Sequence, residues 1–403
     1  MTTVRAPTRR FEQRKSAIIV SAVDVLNRKG VRGMTLADVA TRLGLVPTGV
    51  IYYFKNKEEL ASACFLDGVD RYNAVAAAAA TGGDVRERLR LFLDAYFDLR
   101  RRIRLGETPP LVAFNDVRAL NCAPVNAAYV DMFRRLRALL EGRESRGLSK
   151  TALSARAQIL ISEVLWAPVW LPRHDPEDFG RVSQRVLSIT ADGLAAPGAP
   201  WNPVALPKLI QGAEAPSNEH FLRAATQLIN EEGYRGASVE KISARLNVTK
   251  GAFYHHNDTK DELVVACFER TFEVMRRAIR QAEEVATSGL QVLTTVASAL
   301  VEHQMTGDVP LLRASALSSA PEALQPQMIA QFDRLSDRFA SLISDGIADG
   351  SVRPLDVNIG AQMLTAMINA AAELHHWAPG VTPQTVAALY VRPFFEGLLS
   401  RQA

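Results

Sequence analysis

"GVRGMTLADVATRLGL", Gly30 to Leu45, is written a second time in this chain as "GYRGASVEKISARLNV", Gly233 to Val248. Gly30 matches Gly233, Arg32 matches Arg235, Gly33 matches Gly236, Arg42 matches Arg245 and Leu43 matches Leu246. The register continues without a gap through Lys57 with Lys260, Glu59 with Glu262 and Leu60 with Leu263, to "ACF" at Ala63 to Phe65 and again at Ala266 to Phe268. Self-similarity held over that distance sets the organisation of the whole chain. It fades and then returns near the ends of the halves: "AQIL" at Ala157 to Leu160 faces "AQML" at Ala361 to Leu364, and "DGL" ending at Leu194 faces "EGL" ending at Leu398. The chain is two units of roughly 200 residues each.

Between the units runs "APGAPWNPVALPKLIQGAEAPS", Ala196 to Ser217, whose recurring Pro and Gly prevent a regular helix and mark a linker. Fully extended it spans up to roughly 70 Å, enough to return the chain from one end of a unit to the other.

Within each unit the first pattern is helical. Ile18, Ala22, Val25 and Leu26 repeat as Phe221, Ala225, Leu228 and Ile229, a spacing that places all four on one face. Gly30 and Gly233 end that helix. Thr35 and Ser238 then cap a second short helix with inward face Leu36, Val39 and Leu43, or Val239, Ile242 and Leu246. After a tight turn at Gly44 or Asn247 comes a third helix. A fourth starts at "NKEE" from Asn56 and "TKDE" from Thr259, both with the spacing of a capping box. Three short helices and a fourth rising away are the elements of a helix-turn-helix head.

The second unit's third helix lies in "VTKGAFYHHNDTKDEL", Val248 to Leu263. Thr249 caps it and Phe253 anchors it inward, leaving Lys250, Gly251, Ala252, Tyr254 and His255 largely outside. Small residues at a helix start let the backbone approach another surface, while Thr, Lys, Tyr and His offer hydrogen bonds from that same short stretch. The surface that fits this mixture is the major groove of double-stranded DNA.

These residues resemble the head of the TetR family of bacterial repressors, whose pattern runs Gly-Val-Ser-x-Gly-Thr-Leu-Tyr-x-x-Phe-x-x-Lys-Glu-x-Leu. The first unit is similar through Gly44, Leu45, "YYF" at Tyr52 to Phe54 and "KNKEEL" ending at Leu60. The resemblance implies an all-α chain of two tandem units, each a helix-turn-helix head on a helical body that binds a small effector and supplies the dimer interface. It implies that Thr249 touches phosphate, that Lys250, Gly251 and Ala252 face bases, and that Tyr254, His255 and Lys260 hold the DNA backbone. In the first unit the matching positions are Pro47, Thr48 and Gly49, then Ile51, Tyr52 and Lys57. Thr35 and Ser238 complete the residues expected at DNA.

Several positions depart from the pattern. Val46 stands where the capping Ser belongs, a loss of about 1 kcal/mol, offset in part because Pro47 falls at the first helical position, where its missing N–H costs nothing. Ile51 replaces the phosphate-touching Tyr, so Tyr52 or Tyr53 takes over that contact. Asn257 replaces the inward Phe. The two heads therefore read different bases, which implies an asymmetric operator with the heads about 34–36 Å apart along one face of the duplex. An alternative leaves DNA to the second head and makes the first a protein-interaction module. The basic arm at Arg5, Arg9, Arg10, Arg14 and Lys15 suits phosphate contacts or a solvated tail, and both stay open.

Behind each head the sequence stays helical and apolar, as in "ERLRLFLDAYFDL" from Glu87 and "IGAQMLTAMINAAAEL" from Ile359. By the resemblance, the last two helices of each unit form the dimer interface: about Leu153 to Trp170 with Glu177 to Leu194, and Asp356 to Trp377 with Pro383 to Leu399. The halves of one chain are then expected to pack as two subunits would, an intramolecular pseudodimer favoured by millimolar effective concentration. Dimers of the whole chain stay open. Phe92, Phe97, Phe114, Trp166 and Trp170 suit an effector pocket in the first body, as do Met363, Met367, His375 and Trp377 in the second; the same residues suit plain core. His375 and His376, adjacent in sequence, are expected on different helix faces.

The expected divisions are 1–62 and 218–265 for the heads, 63–195 and 266–403 for the bodies, and 196–217 for the linker. A charge of +4 is mild for 403 residues and only weakly favours an anionic partner. Cys64, Cys122 and Cys267 lack CxxC spacing, so free thiols in a reducing compartment are expected and no metal site. A secretory leader and a long apolar run are both missing, which suits a cytoplasmic protein with no membrane partner. Neither HExxH, GxSxG, a Walker loop nor a GxGxxG after a strand occurs, so no enzyme and no cofactor is expected. A helical ligand-sequestering protein or enzyme would leave both heads unexplained.

Overall fold

A computed structural model describes residues 9–207, 209, 216–249, 259–306, 311–313, 316 and 323–400. Among them the structure is helical throughout, its one β feature an isolated antiparallel bridge between Ala195 and Val352.

The first head is α1 (Arg9–Gly33), α2 (Leu36–Arg42) and α3 (Pro47–Ile51), followed by α4 (Lys57–Ala79). The first body continues with α5 (Val85–Arg104), a 3₁₀ turn (Phe114–Leu120), α6 (Ala123–Ala138), α7 (Lys150–Trp170) and α8 (Phe179–Asp192). The second half repeats the plan with α9 (Pro216–Gly236), α10 (Val239–Leu246), α11 (Lys260–Val285), α12 (Gly289–Thr306), α13 (Gln325–Ala348) and α14 (Val357–Ala370). It ends in α15 (Leu374–Trp377), a π-helical turn (Ala387–Val391) and α16 (Arg392–Glu396). The expected long final helix is irregular because Pro393 has no N–H to give its ladder, and the turn before it widens.

Each body closes around its fourth helix. In the first, α4 packs on α5 and α6, α5 on α8, and α6 on α7; in the second, α11 packs on α12 and α12 on α13. The thiols of Cys64 and Cys267 lie at matching places in the two halves, facing the carbonyls of Ile19 at 3.8 Å and Leu222 at 3.7 Å. Burial pushes the two thiols up, to about 12 and about 11, so neither is a ready thiolate.

The halves meet along α7 and α8 on one side and α14 with the 387–396 segment on the other. The contacts across this seam follow a two-fold rule. Gln158 donates to the Ala370 carbonyl at 3.4 Å, while at the reciprocal place the Trp166 indole donates to Gln362 at 3.2 Å. The Leu194 N–H donates to the Phe395 carbonyl at 2.8 Å, and the Leu398 N–H to the Thr190 carbonyl at 2.9 Å, one residue from the strictly reciprocal place. Gly193 and Gly397, both with positive φ, each lie against the backbone of the other half.

The linker is strapped down where it is described. Ala196 donates to the Ser351 carbonyl at 2.9 Å, Gln291 to the Asn202 carbonyl at 2.9 Å and Val204 to the Thr295 hydroxyl at 3.0 Å. Pro and Gly remove helix from this stretch without making it a loose tether. Among the described residues no helix is long and apolar enough to cross a membrane.

Candidate nucleic-acid interface

In the first head local chemistry fixes each element. Helix α1 breaks at Gly30, whose φ of 66° only a glycine adopts readily. Thr35 caps α2 through the Asp38 N–H at 3.1 Å, and Asp38 returns a bond to the Thr35 N–H at 3.2 Å, a full capping box. The Asp38 carboxyl is held below its usual range mainly by the Lys29 ammonium at 2.7 Å. Gly44, with φ of 63°, turns the chain into α3. That helix has no side-chain cap at Val46 and starts on Pro47, as the sequence implies. Val50 and Phe54 point inward and are buried, while Pro47, Thr48, Ile51 and Tyr52 are exposed and Gly49 and Tyr53 half-buried.

Two details differ from expectation. Asn56 caps α4 through the Glu59 N–H at 2.8 Å, but the Glu59 carboxylate reaches back to the Lys55 N–H, one residue earlier than a capping box requires. The Lys57 ammonium donates to the carbonyls of Arg32 at 3.1 Å and Val31 at 3.5 Å, so it braces the end of α1. Any hold on DNA comes in addition to that role.

The second head repeats the scheme. Gly233 breaks α9 with φ of 73°, Ser238 caps α10 through the Lys241 N–H at 3.3 Å, and Asn247 makes the left-handed turn with φ of 54°. Thr259 and Glu262 form the expected capping box of α11, and Lys260, half-buried, opens that helix. Thr249 is exposed. Lys250, Gly251, Ala252, Phe253, Tyr254, His255 and Asn257 lie outside the described residues.

Each head is clipped to its body in the same way. Asn27 donates to the Leu111 carbonyl at 2.9 Å and accepts from the Ala113 N–H at 2.8 Å. Asn230 donates to the Leu311 carbonyl at 2.9 Å and accepts from the Arg313 N–H at 2.9 Å. Each head is thus tied to one loop of its own body. Both loops converge on one carboxylate: Glu373 pairs with Arg313 and, at 3.4 Å, with Arg118 of the 3₁₀ turn. The Arg118 guanidinium also lies 5.4 Å over the Trp377 ring. Burial, and then Arg118, push the neighbouring His376 down to about 4, so it stays neutral beside these cations.

The heads also touch each other. Arg32 of the first reaches Glu232 of the second at 3.0 Å, and Glu232 is bound at the same time by Lys241. Position 232 corresponds to 29 and 241 to 38, so the Lys29–Asp38 pair of the first head recurs in the second with its charges reversed.

The residues considered for an effector pocket are divided among separate places. Phe92 and Phe97 are buried in the first body. Phe114 packs against Tyr129 with centroids 5.0 Å apart. Trp166 belongs to the seam between halves, Met363 and Met367 are buried in α14, and Trp170 faces His174. Trp377 leaves the second half to stack on Phe133 of the first at 4.3 Å. The rings of His375 and His376 lie together at 3.7 Å instead of on separate faces. Among the described residues no group of three or more His, Cys, Asp or Glu side chains is placed to hold a metal.

Comparison with known proteins bears on the heads. A family model described as bacterial regulatory proteins of the tetR family matches residues 18–64 and again residues 221–267. The chain is 25% identical over 144 residues to the HTH-type transcriptional repressor DhaR of Mycobacterium sp. (strain GP1), covering 35% of this chain and 72% of that protein. It is 33% identical over 78 residues to the transposon Tn10 TetC protein of Escherichia coli, covering 19% of this chain and 39% of that one. A solved TetR family transcriptional regulator, PfmR from Thermus thermophilus, is 22% identical over 45% of this chain and 99% of its own, with a TM-score of 0.39. The same family head thus occurs once in each half, at matching positions: the chain carries two heads of the tetR family of bacterial regulatory proteins, in tandem.

Proposed function

We propose that this chain is a ligand-responsive transcriptional regulator, acting as a repressor in the cytoplasm, whose two heads engage one duplex while its halves serve as the two subunits of a dimer. The observation that carries this reading is the repeated mechanical layout. Two family heads are each clipped to a body by one asparagine, and the bodies join along a seam with two-fold contacts. The working divisions are heads at 1–62 and 218–265, bodies at 63–195 and 266–403, and the linker between.

At DNA the first head presents Pro47, Thr48, Gly49, Tyr52 and Tyr53, and the second Thr249, Lys250, Gly251, Ala252, Tyr254 and His255. Lys57, Lys260 and the caps Thr35 and Ser238 support them. Because the exposed residues differ, the preferred operator is asymmetric. An effector that binds the DNA-free arrangement better than the bound one releases the heads, with about 1–3 kcal/mol of coupling typical of such systems.

Selection of bound sites from random duplexes at stated salt tests this directly. The reading expects a non-palindromic site whose two parts respond separately to Lys250→Ala with Tyr254→Phe and to Thr48→Ala with Tyr52→Ala. Symmetric selected sites would overturn the asymmetry, and absence of sequence preference would overturn the function. Substitutions in the first head without effect on binding would favour regulation through the second head alone.

A further inference from the structure

Eight large hydrophobic side chains stand exposed among the described residues, and three of them fall within seven positions at the tip of the first head: Val46 at 66%, Ile51 at 47% and Tyr52 at 74%. Exposed apolar surface concentrated this way marks a contact site. From Leu43 to Phe54 the sequence has no charged and no amide side chain. It therefore lacks the Arg, Lys, Asn and Gln groups that make paired hydrogen bonds to guanine or adenine. The second head, with Lys250 and His255 at matching positions, has such donors.

The rim of the tip is cationic. From Val39 to Lys57 there is no Asp or Glu, against Lys55, Lys57, which also braces α1, and Arg42, which pairs with Asp24 at 2.7 Å. The first turns of α1 are drawn to the same place: Phe11 packs on Tyr53 at 4.8 Å and the Lys15 ammonium lies 5.7 Å from the Phe54 ring centre. Those turns bring exposed Arg9, Arg10 and Arg14 beside the tip. An apolar centre inside a basic rim suits a polyanion that offers apolar groups at its recognised edge. In the major groove one base does so, thymine, through its C5-methyl.

We infer that the first head reads thymine methyl groups, with Val46, Pro47 and Ile51 and the methyl of Thr48 as the specificity-determining contacts. This rests on the proposed DNA-binding function. The part of the operator under the first head then holds A·T pairs, while the second head reads its part through hydrogen bonds.

The experiment uses the full chain and a duplex selected from a random pool, remade with deoxyuridine in place of thymidine in one half-site at a time. Deoxyuridine keeps every hydrogen-bonding group and removes only the methyl. Under the first head, Kd is expected to rise about fourfold per methyl removed, the worth of one buried methyl. In the Ile51→Ser, Val46→Ser variant, whose exposed positions leave the fold intact by circular dichroism, that penalty is expected to shrink, Pro47 and Thr48 being left in place. In Lys250→Ala it is expected to persist. An unchanged Kd with deoxyuridine, an equal penalty in the serine variant, or a G·C-rich site under the first head would overturn the inference and leave the proposed function standing. So would a serine variant with normal DNA affinity that has lost a protein partner. Absence of sequence-specific duplex binding by the natural chain would overturn both.

Discussion

Gly193 and Gly397 cross at the seam so closely that a Cβ on either would strike the backbone of the other half. A methyl on Gly193 would lie 2.1 Å from the Phe395 carbonyl oxygen, and one on Gly397 2.3 Å from that of Ala191. They occupy the same position in the two repeats, within "DGL" and "EGL". Gly193→Ala is expected to lower stability by about 1–3 kcal/mol from the clash, with a further cost of roughly 1 kcal/mol from its left-handed backbone. Gly198→Ala has a similar positive φ and open space around it, and should show the backbone cost alone. Denaturant unfolding of both variants checks the difference.

The bridge from Arg32 to Glu232 joins the heads at an exposed site, so its worth should be small, about 0.2–1 kcal/mol. Arg32→Glu is expected to destabilise the contact by facing Glu232 with a like charge, and Arg32→Glu with Glu232→Arg to recover only part of the loss, because an arginine at 232 also faces Lys241. A double-mutant cycle on thermal unfolding at low salt measures the coupling, which should shrink at 1 M salt, where the screening length is about 3 Å.

Glu373 links the loops that carry both heads. Glu373→Gln is expected to cost about 1 kcal/mol of stability or less, since the cluster is partly solvated. Its larger expected effect is on geometry: with the loops released, the chain should tolerate operators whose half-sites are moved by one base pair. Affinities for a series of spacer lengths check this, and the natural chain should show the sharper optimum.

Glu163 is buried in α7, its Oε1 without a hydrogen-bond partner among the described residues, and burial raises its pKa well above the usual carboxyl value. The folded chain keeps this proton at a pH where the unfolded chain has released it, so the contribution of Glu163 to stability falls as pH rises above about 4.3, the unperturbed value. Glu163→Gln keeps a neutral side chain at every pH. It is expected to leave stability near pH 4 little changed and raise it at pH 7 and above, as melting temperatures across that range would show.

The heads were legible because their signals are local. Gly30, Thr35, Gly44, Ser238, Asn247 and Thr259 each act on backbone within four residues, and the structure places them at the breaks, turns and caps that their chemistry demands. The ties across the molecule had no such signature. Arg118, Arg313 and Glu373 are far apart in sequence and follow no helical period, and Lys57 is drawn from the surface to the end of α1 by carbonyls that only the folded head brings near. The seam left one readable trace. The glutamines inside "AQIL" and "AQML" are polar residues repeated in apolar helices, and a pair of that kind asks for partners that neither half supplies alone.

The reversed charge pair at 29 and 38, and at 232 and 241, has a consequence for which copies pair. Were both copies to keep the sense of the first, a lysine would stand at 232 and push Arg32 away. A fragment holding only the first half, meeting its own twin, would set Lys29 against Arg32 in that manner. The reversed pair therefore favours the first copy meeting the second over the first meeting its own twin, by the small worth of one exposed bridge.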